Sequence, residues 1–565
     1  MKNLIILIVL VVLGFGAYQL LGGKSSANIE RLDYIPGDTV LMSAQLEPVD
    51  MKAYLASLGM QPSQYGELVT MLEKSLESES DATSKFALTL VTGLMSALST
   101  PDDIETKIGV KNQLRSLFFM NGIAPVMHWE LKDEARFLAF FSEAQQASNI
   151  AYSDEVVDGQ SYVRYVLDET EQLDLLVRAA DGWGVIAIHS PKLGDAHLRT
   201  TMAFEKQSKP LVGSDVYNKL TNEYEMSKEA FGFISSKQLG LMFTSLDGNS
   251  LAIDLNTLAG EEFQQEFEMF REPACKADIS MLSALWPGVF MDSNIDLLAE
   301  DGVKIDGKVL IPTNSKVTID ALKALRGFIP NFVKDSTSIM SVGLGVDVAE
   351  LSGSVSSMFN AVANLPLSCE PILALQKELK QNNPTGAFAM AGIANGFFGA
   401  AAAVNEFEFD MSGGQEMAVD AIVSFSAENI GSLYGSLQTF VPFLASQPLP
   451  AKGEELSLNE VVPMLDQFGL EVKAQANQEH LVIYSGAKGK VQAESVLAES
   501  VEANGLQAIT IDYGQFFTQL LPIMQMSGQA IPPELETMME TDMVLSAETN
   551  ITDKGITIES SVVVK

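Results

Sequence analysis

The feature that most constrains the fold is a long-range internal similarity. The hexapeptide RLDYIP at residues 31–36 recurs as LRGFIP at residues 325–330. A predicted strand follows each copy, VLMSAQL at residues 40–46 and SIMSVGL at residues 338–344. Similarity between two distant parts of one chain indicates that two copies of one structural unit follow each other.

The order of the predicted elements also repeats. In both halves a strand runs into an amphipathic helix, and a hairpin, a short helix and a further strand–helix pair follow. Each half closes on alternating apolar residues, at 302–311 and 555–564, as half-buried antiparallel strands require. The pattern predicts an α+β fold of two related lobes, with antiparallel sheets and packed helices. We place the first lobe at residues 28–312, a linker at 313–323 and the second lobe at 324–565.

Length and composition agree with more than one domain. The chain has 565 residues, beyond the roughly 250–300 at which single cores stop growing. Charged residues make up only 19% of it, against about 25% in an average soluble chain. The 73 acidic and 36 basic residues leave a net charge of -37. Because nucleic-acid binding depends on basic side chains that neutralise phosphates, this charge excludes a nucleic-acid partner.

An apolar run occupies residues 4–21, behind Lys2. It approaches the roughly 20 residues that span a bilayer and exceeds the 7–15 or so of a signal-peptide core. We therefore predict that residues 1–27 form a transmembrane anchor and a short linker. The alternative is a cleaved signal peptide, with small-residue sites at 14–16 or 25–27. Either way the body is expected in the periplasm, and an uncleaved segment makes a single-pass protein of the bacterial inner membrane.

Two cysteines, Cys275 and Cys369, fit an exported body. In an oxidising compartment the pair predicts one structural disulfide, which would link the two halves of the chain. The alternative is two separate buried thiols. Without a CxxC motif, redox catalysis is disfavoured.

A second apolar run covers residues 386–404 and contains one polar residue, Asn395. Its length suits a membrane span. However, a span here would place the rest of the second lobe across the membrane from the first. We predict a buried helix or strand–helix, with a membrane-contacting segment as the alternative.

The sequence assigns no catalytic residue, metal site or cofactor. Its histidines, His128, His189, His197 and His480, stand in no metal-binding spacing, and no GxSxG motif is present. His128 and Glu130 share one face of a predicted strand, which suits either an acid–base pair or an ordinary contact. The segment GAKGK at 486–490 resembles a phosphate loop but lacks its first glycine, and Val491 replaces the magnesium-binding Ser or Thr. We interpret that segment as a turn and consider an enzyme disfavoured.

Methionines cluster near the C-terminus, among prolines and acidic residues. Core packing is one interpretation, and an adaptable apolar binding surface is another. A copper(I) site is a third, because thioethers are soft ligands. The residues concerned are Met524, Met526, Met538, Met539 and Met543.

The opening of the chain, an apolar segment and then IPGDT at residues 35–39 before a strand, resembles a known kind of protein. It is similar to uncharacterised bacterial membrane-anchored envelope proteins built of repeated strand–helix units. The resemblance implies an envelope location and supplies no activity or site residues.

Three functional hypotheses follow. The first is a non-catalytic, membrane-anchored envelope protein that binds a hydrophobic ligand, such as a lipid, or an envelope partner between or beneath its lobes. The second is a structural or scaffolding protein. The third is an enzyme with an unrecognised site.

Overall fold

The computed structural model describes most of the chain. It covers residues 29–564 except 52–61, 101–102, 298–301, 336, 389–391, 393, 411–415, 441–447, 461, 463 and 527–541. The chain divides into two compact units, Met1–Val309 and Leu310–Lys565. Both combine antiparallel strands with packed helices, which confirms the predicted α+β class.

The first unit contains an antiparallel sheet in which the spatial order of the strands differs from their order in the chain. Its strands are β1 (Leu41–Asp50), β2 (Gln113–Asn121), β3 (Ala124–Glu130), β4 (Tyr152–Val157), β5 (Gln160–Asp168), β6 (Leu173–Ala180), β7 (Trp183–His189), β8 (Ala230–Ser235) and β9 (Gly288–Leu297). They pair in the order β9-β8-β1-β2-β3-β7-β6-β5-β4. The next strand, β10 (Val303–Pro312), contains the boundary between the units.

Helices flank this sheet. The α-helices are Pro62–Ser78, Ala82–Leu98, Ile104–Ile108, Glu134–Ser148, Gly194–Thr201, Asp215–Asn218, Ser236–Thr244, Ser250–Leu258, Gly260–Glu266 and Pro273–Leu285. Short 3-10 helices lie at Ile29–Tyr34, Pro191–Leu193 and Glu268–Arg271, and a π-helix lies at Lys219–Glu223. Several of these helices have a side-chain cap at the N-terminus. At the helix Glu134–Ser148, the Asp133 carboxylate accepts a 2.9 Å hydrogen bond from the backbone N–H of Arg136.

The main core of the first unit lies between one sheet face and the helices Ala82–Leu98 and Glu134–Ser148. Phe86, Phe137 and Phe141 of these helices are buried there. They pack in one cluster with Met127 and Ile186 of β3 and β7. Large aromatic side chains therefore close this face of the sheet.

The second unit repeats antiparallel pairing throughout. Its strands are β11 (Met340–Gly345), β12 (Phe397–Asp410), β13 (Glu416–Ala427), β14 (Leu456–Ser457), β15 (Lys473–Ala476), β16 (His480–Ser485), β17 (Gln507–Asp512), β18 (Met543–Ile551) and β19 (Gly555–Val564). They pair in the order β19-β18-β17-β11-β12-β13-β16-β15-β14.

Helices again flank the strands. The α-helices are Lys316–Ala324, Val348–Ala363, Glu370–Gln381, Thr385–Phe388, Ile430–Phe440, Met464–Gln467, Gly486–Ala498 and Tyr513–Met526, with 3-10 helices at Asn331–Lys334 and Leu458–Glu460. The core of this unit joins Ala493 and Val496 of one helix to Ala403, Ile422 and Val482 of the sheet.

The two apolar runs have different outcomes. The predicted anchor at residues 4–21 lies outside the described residues. The second run ends in β12, between β11 and β13, so its residues from Phe397 onward form a sheet strand and not a helix. Within the described part of the chain, no helix combines the length and apolar character needed to cross a membrane.

The predicted disulfide is confirmed, because Cys275 and Cys369 are bonded to each other. Cys275 lies in the first turn of the helix Pro273–Leu285. Cys369 immediately precedes the helix Glu370–Gln381. Both residues are buried, with exposed fractions of 2% and 1%.

Candidate functional site

A row of aliphatic side chains crosses the centre of the second unit's sheet. Val342 of β11 pairs with Ile509 on one side and with Ala402 on the other. The row continues through Val423 and Ile483. Directly paired residues of antiparallel strands point to the same face of the sheet, so these five side chains share one face.

A parallel row lies two residues along the strands. It runs from Leu344 through Ala400 and Phe425 to Leu481. Because side chains two residues apart on a strand point the same way, this row lies on the same face. We call the two rows together the apolar sheet face, and all nine of its residues are apolar.

The apolar sheet face is open at its centre. Val342, Leu344 and Val423 are 37%, 50% and 38% exposed. One end of the face is covered, because Phe425 and Leu481 pack against Ile430 and Leu433 in the first turns of the helix Ile430–Phe440. Exposed aliphatic side chains on central, doubly paired strands are uncommon, and contiguous apolar patches usually mark interaction sites.

The reverse side of the same strands explains why the large side chains face outward. Ser341 of β11 is fully buried, and its hydroxyl donates a 2.7 Å hydrogen bond to the carbonyl of Val333. A Cβ on Gly343 would lie 2.7 Å from Ile329 Cγ2, so a larger side chain there would have to displace Ile329. The segment before β11 thus approaches the strand too closely for Val or Leu.

His128 and Glu130, which share a strand face, have separate partners. The Arg31 Nε–H donates a 3.1 Å hydrogen bond to His128 Nδ1, and both side chains are buried. Burial, with the charges of Arg31 and Arg178, lowers the pKa of His128 well below its usual value. Glu130 instead accepts hydrogen bonds of 2.7 Å from Lys111 and Arg115. This geometry forms two structural contacts and brings no acid–base pair together.

His197 belongs to a polar network that the sequence did not reveal. Its Nε2 lies 3.0 Å from Asp254 Oδ2 and 3.1 Å from the carbonyl of Asn121, and Thr201 lies 3.2 Å from Nδ1. Asp254 also accepts a 2.9 Å hydrogen bond from the backbone N–H of Ile123. Only the i,i+4 spacing of His197 and Thr201 was visible in the sequence, since Asn121 and Asp254 come from distant segments. The network binds the helix Gly194–Thr201 to the helix Ser250–Leu258.

His189 lies at the end of β7 and is 5% exposed. Its ring centroid is 5.3 Å from that of His197. Burial is the main cause that lowers the pKa of His189 from 6.5 to about 4, and the charges of His197 and Arg164 add to it. The imidazole is therefore neutral in the folded protein at neutral pH.

We expect this histidine to make the first unit sensitive to acid. The unfolded chain takes up the proton near pH 6.5 and the folded chain only near pH 4. The corresponding stability is present above pH 6.5 and is lost as the pH falls toward 4, on the order of 3 kcal/mol. His189→Gln should reduce this loss, measured by urea unfolding at about pH 7 and about pH 4.5. An equally steep decline in the variant would show that His189 does not cause it.

The segment 486–490, interpreted above as a turn, begins a helix, so that prediction was wrong. Its backbone N–H groups bind a carboxylate of the protein itself. The Asp420 carboxylate accepts hydrogen bonds from the N–H groups of Lys488 and Gly489, at 2.8 and 2.7 Å. A Cβ on Gly486 would lie 2.4 Å from the Asp420 carboxyl carbon. The helix N-terminus is therefore occupied by the protein's own carboxylate.

The C-terminal methionines are only partly described. Met538 and Met539 lie outside the described residues, and Met524 and Met526 fall in the last turn of the helix Tyr513–Met526. Met543 begins β18 and pairs with Val564. Among the residues that the structure describes, no three His, Cys, Asp or Glu side chains are grouped to hold a metal ion. The adaptable-surface interpretation stays a prediction.

Comparisons of the chain with protein-family models, with curated proteins and with solved structures returned no match.

Proposed function

We propose that this protein is a non-catalytic envelope protein that binds the acyl chain of a lipid on its apolar sheet face. The observation that carries the proposal is the exposure of Val342, Leu344 and Val423 at the centre of a paired sheet. An acyl chain laid across them would bury these side chains without leaving a polar group unsatisfied.

The dimensions of the face suit such a ligand. The row from Ile509 to Ile483 crosses five strands, which corresponds to about 19 Å at the usual spacing between strands. That distance accommodates most of a fatty acyl chain. Covering a fully exposed Val or Leu side chain contributes about 1.5–3 kcal/mol, and these residues are less than fully exposed, so each would contribute roughly 1 kcal/mol.

We further propose that the two units arose by duplication and then diverged at this face. Support comes from the pairing order, since β8-β1-β2-β3-β7-β6 in the first unit matches β17-β11-β12-β13-β16-β15 in the second. The first unit fills one face of its sheet with Phe86, Phe137 and Phe141. In the second unit the apolar sheet face is exposed at its centre instead. A closed copy and an open copy of one architecture suit a structural and a binding role.

The proposed location is the periplasmic side of a bacterial inner membrane, with residues 4–21 as a single anchor. The apolar run supports this location, and so does the disulfide, because disulfides persist in oxidising compartments. Only a few residues separate the apolar run from Ile29, where the described body begins. Such an anchor would keep the body near its lipid source.

Photocrosslinking in membranes tests the ligand directly. Cells that express the full chain are fed a fatty acid carrying a diazirine, irradiated, and the labelled peptides are located by mass spectrometry. We expect adducts in β11 and β13 of the wild type and their loss in Val342→Lys combined with Leu344→Lys. Charged side chains on the face would oppose burial of an acyl chain. Val491→Lys is the matched control, because Val491 is 66% exposed on a helix outside the face.

Labelling of residues 4–21 serves as the internal standard, since an anchor contacts lipid whatever the body binds. A labelled anchor with an unlabelled body would contradict the lipid-binding proposal. If a protein is captured instead at β11 and β13, the scaffolding hypothesis replaces it. If the mature protein began beyond residue 21, the predicted anchor would be contradicted, whereas the lipid-binding proposal would be unaffected.

A further inference from the structure

A cleft of 960 Å³ opens in the first unit, which we call the first-unit cleft. Its walls come from the loop before β1, the helix Gly194–Thr201, the segment that follows it, and the helices Ser236–Thr244 and Ser250–Leu258. The volume falls within the range of small-molecule binding sites in proteins, roughly 300–1,000 Å³. All its lining residues belong to the first unit, so it is distinct from the apolar sheet face.

The carboxylates of the cleft are engaged by the protein itself. Asp38 Oδ2 accepts hydrogen bonds from the backbone N–H and the hydroxyl of Ser250, at 2.7 and 2.8 Å. Asp254, 2% exposed, is held by His197 and by the N–H of Ile123. Each negative charge in the lining is thus already hydrogen-bonded within the fold, which makes it a poor receptor for a cationic ligand.

The positive groups of the cleft are less engaged. Lys209 is exposed and forms no ion pair with any residue that the structure describes. Lys237 also lines the cleft, and its ammonium is 3.8 Å from Asp215 with both side chains more than half exposed. Such an exposed pair is weak. In a chain with twice as many acidic as basic residues, a lining with two lysines and two hydrogen-bonded aspartates is less acidic than the chain as a whole.

Apolar side chains complete the lining, among them Leu193, Val212, Leu241 and Ile253. Ile253 is 47% exposed although it sits in the wall of a cleft. Concave sites that combine apolar walls with a few polar groups are those that bind small organic molecules.

We infer that the first-unit cleft binds a small organic anion, with its anionic group beside Lys209 and Lys237 and its apolar part against Ile253 and Leu241. The ligand class is a carboxylate or similar anion on an apolar skeleton. This site is independent of lipid binding in the second unit.

Calorimetric titration of the full chain in lipid nanodiscs tests the site with two probes of one shape, 1-naphthaleneacetate and its neutral amide. We expect the anion to bind about tenfold more tightly than the amide, and added salt to weaken only the anion. Lys209→Gln combined with Lys237→Gln should remove this preference. The matched control is Lys276→Gln combined with Lys377→Gln, which removes the same charge from exposed positions outside the cleft.

The result that overturns the inference is equal affinity for anion and amide, no binding of either, or full retention of the preference in the cleft variant. Loss of the preference in the control variant would also overturn it, because net charge would then be the cause. Binding of the anion that disappears in the Val342→Lys, Leu344→Lys protein would place the probe on the apolar sheet face. That outcome would refute anion binding in the first-unit cleft and would leave the lipid-binding proposal unaffected.

Discussion

Replacement of Cys275 and Cys369 by alanine is expected to lower the free energy of unfolding by about 4–5 kcal/mol, the effect of opening a closed loop of nearly 100 residues in the chain-entropy model. The loop restricts the unfolded chain far more than the folded one. Both sulfurs are buried, so the variant also loses packing around them.

Denaturant unfolding with and without reductant measures this effect. The double variant should unfold at a lower denaturant concentration than the wild type, and reductant should not change it further. Wild-type protein should resist reductant while folded, because the two cysteines are 2% and 1% exposed. An unchanged midpoint in the variant would mean that the disulfide contributes little to stability.

Asp420→Ala is expected to destabilise the second unit by about 3–5 kcal/mol, because it removes the acceptor of three hydrogen bonds. The carboxylate binds the N–H groups of Lys488 and Gly489, and the Asn405 side-chain amide donates to it at 2.9 Å. Asn405 is 2% exposed, so its amide cannot turn to water. The helix Gly486–Ala498 would also lose the negative charge at its N-terminus.

Asp420→Asn separates these effects, because an amide of the same shape keeps one acceptor oxygen and removes the charge. We expect the free energy of unfolding of this variant, measured with urea, to lie between those of the wild type and the alanine variant. The loss should appear together with reduced helical circular dichroism. An alanine variant as stable as the wild type would show that water replaces the carboxylate and that the network is not structural.

Much of the element order could be predicted from the sequence. Alternating apolar residues predicted β10 and β19, and helical spacing predicted the helices Glu134–Ser148 and Val348–Ala363. The disulfide followed from the cysteine count and the expected compartment. These features depend on local periodicity or on composition, which a single sequence displays directly.

The candidate sites could not be predicted in the same way. His197 and Asp254 are 57 positions apart in the sequence and come into contact only in the folded protein. The Asp420 carboxylate fills the N-terminus of a helix that starts 66 positions later, at Gly486. Such contacts between distant segments leave no periodic trace in the sequence.

The sequence by itself determined that β11 is a strand whose large residues, Val342 and Leu344, alternate with Ser341, Gly343 and Gly345. Ordinary expectation places the large apolar set in the core. Only the tertiary structure decided the reverse, because Ile329 and Val333 pack closely against Gly343, the backbone of Gly327 and Gly505 packs closely against Gly345, and Ser341 is hydrogen-bonded to the Val333 carbonyl on the same side. Steric exclusion on that side turns Val342 and Leu344 toward solvent, and this creates the apolar sheet face.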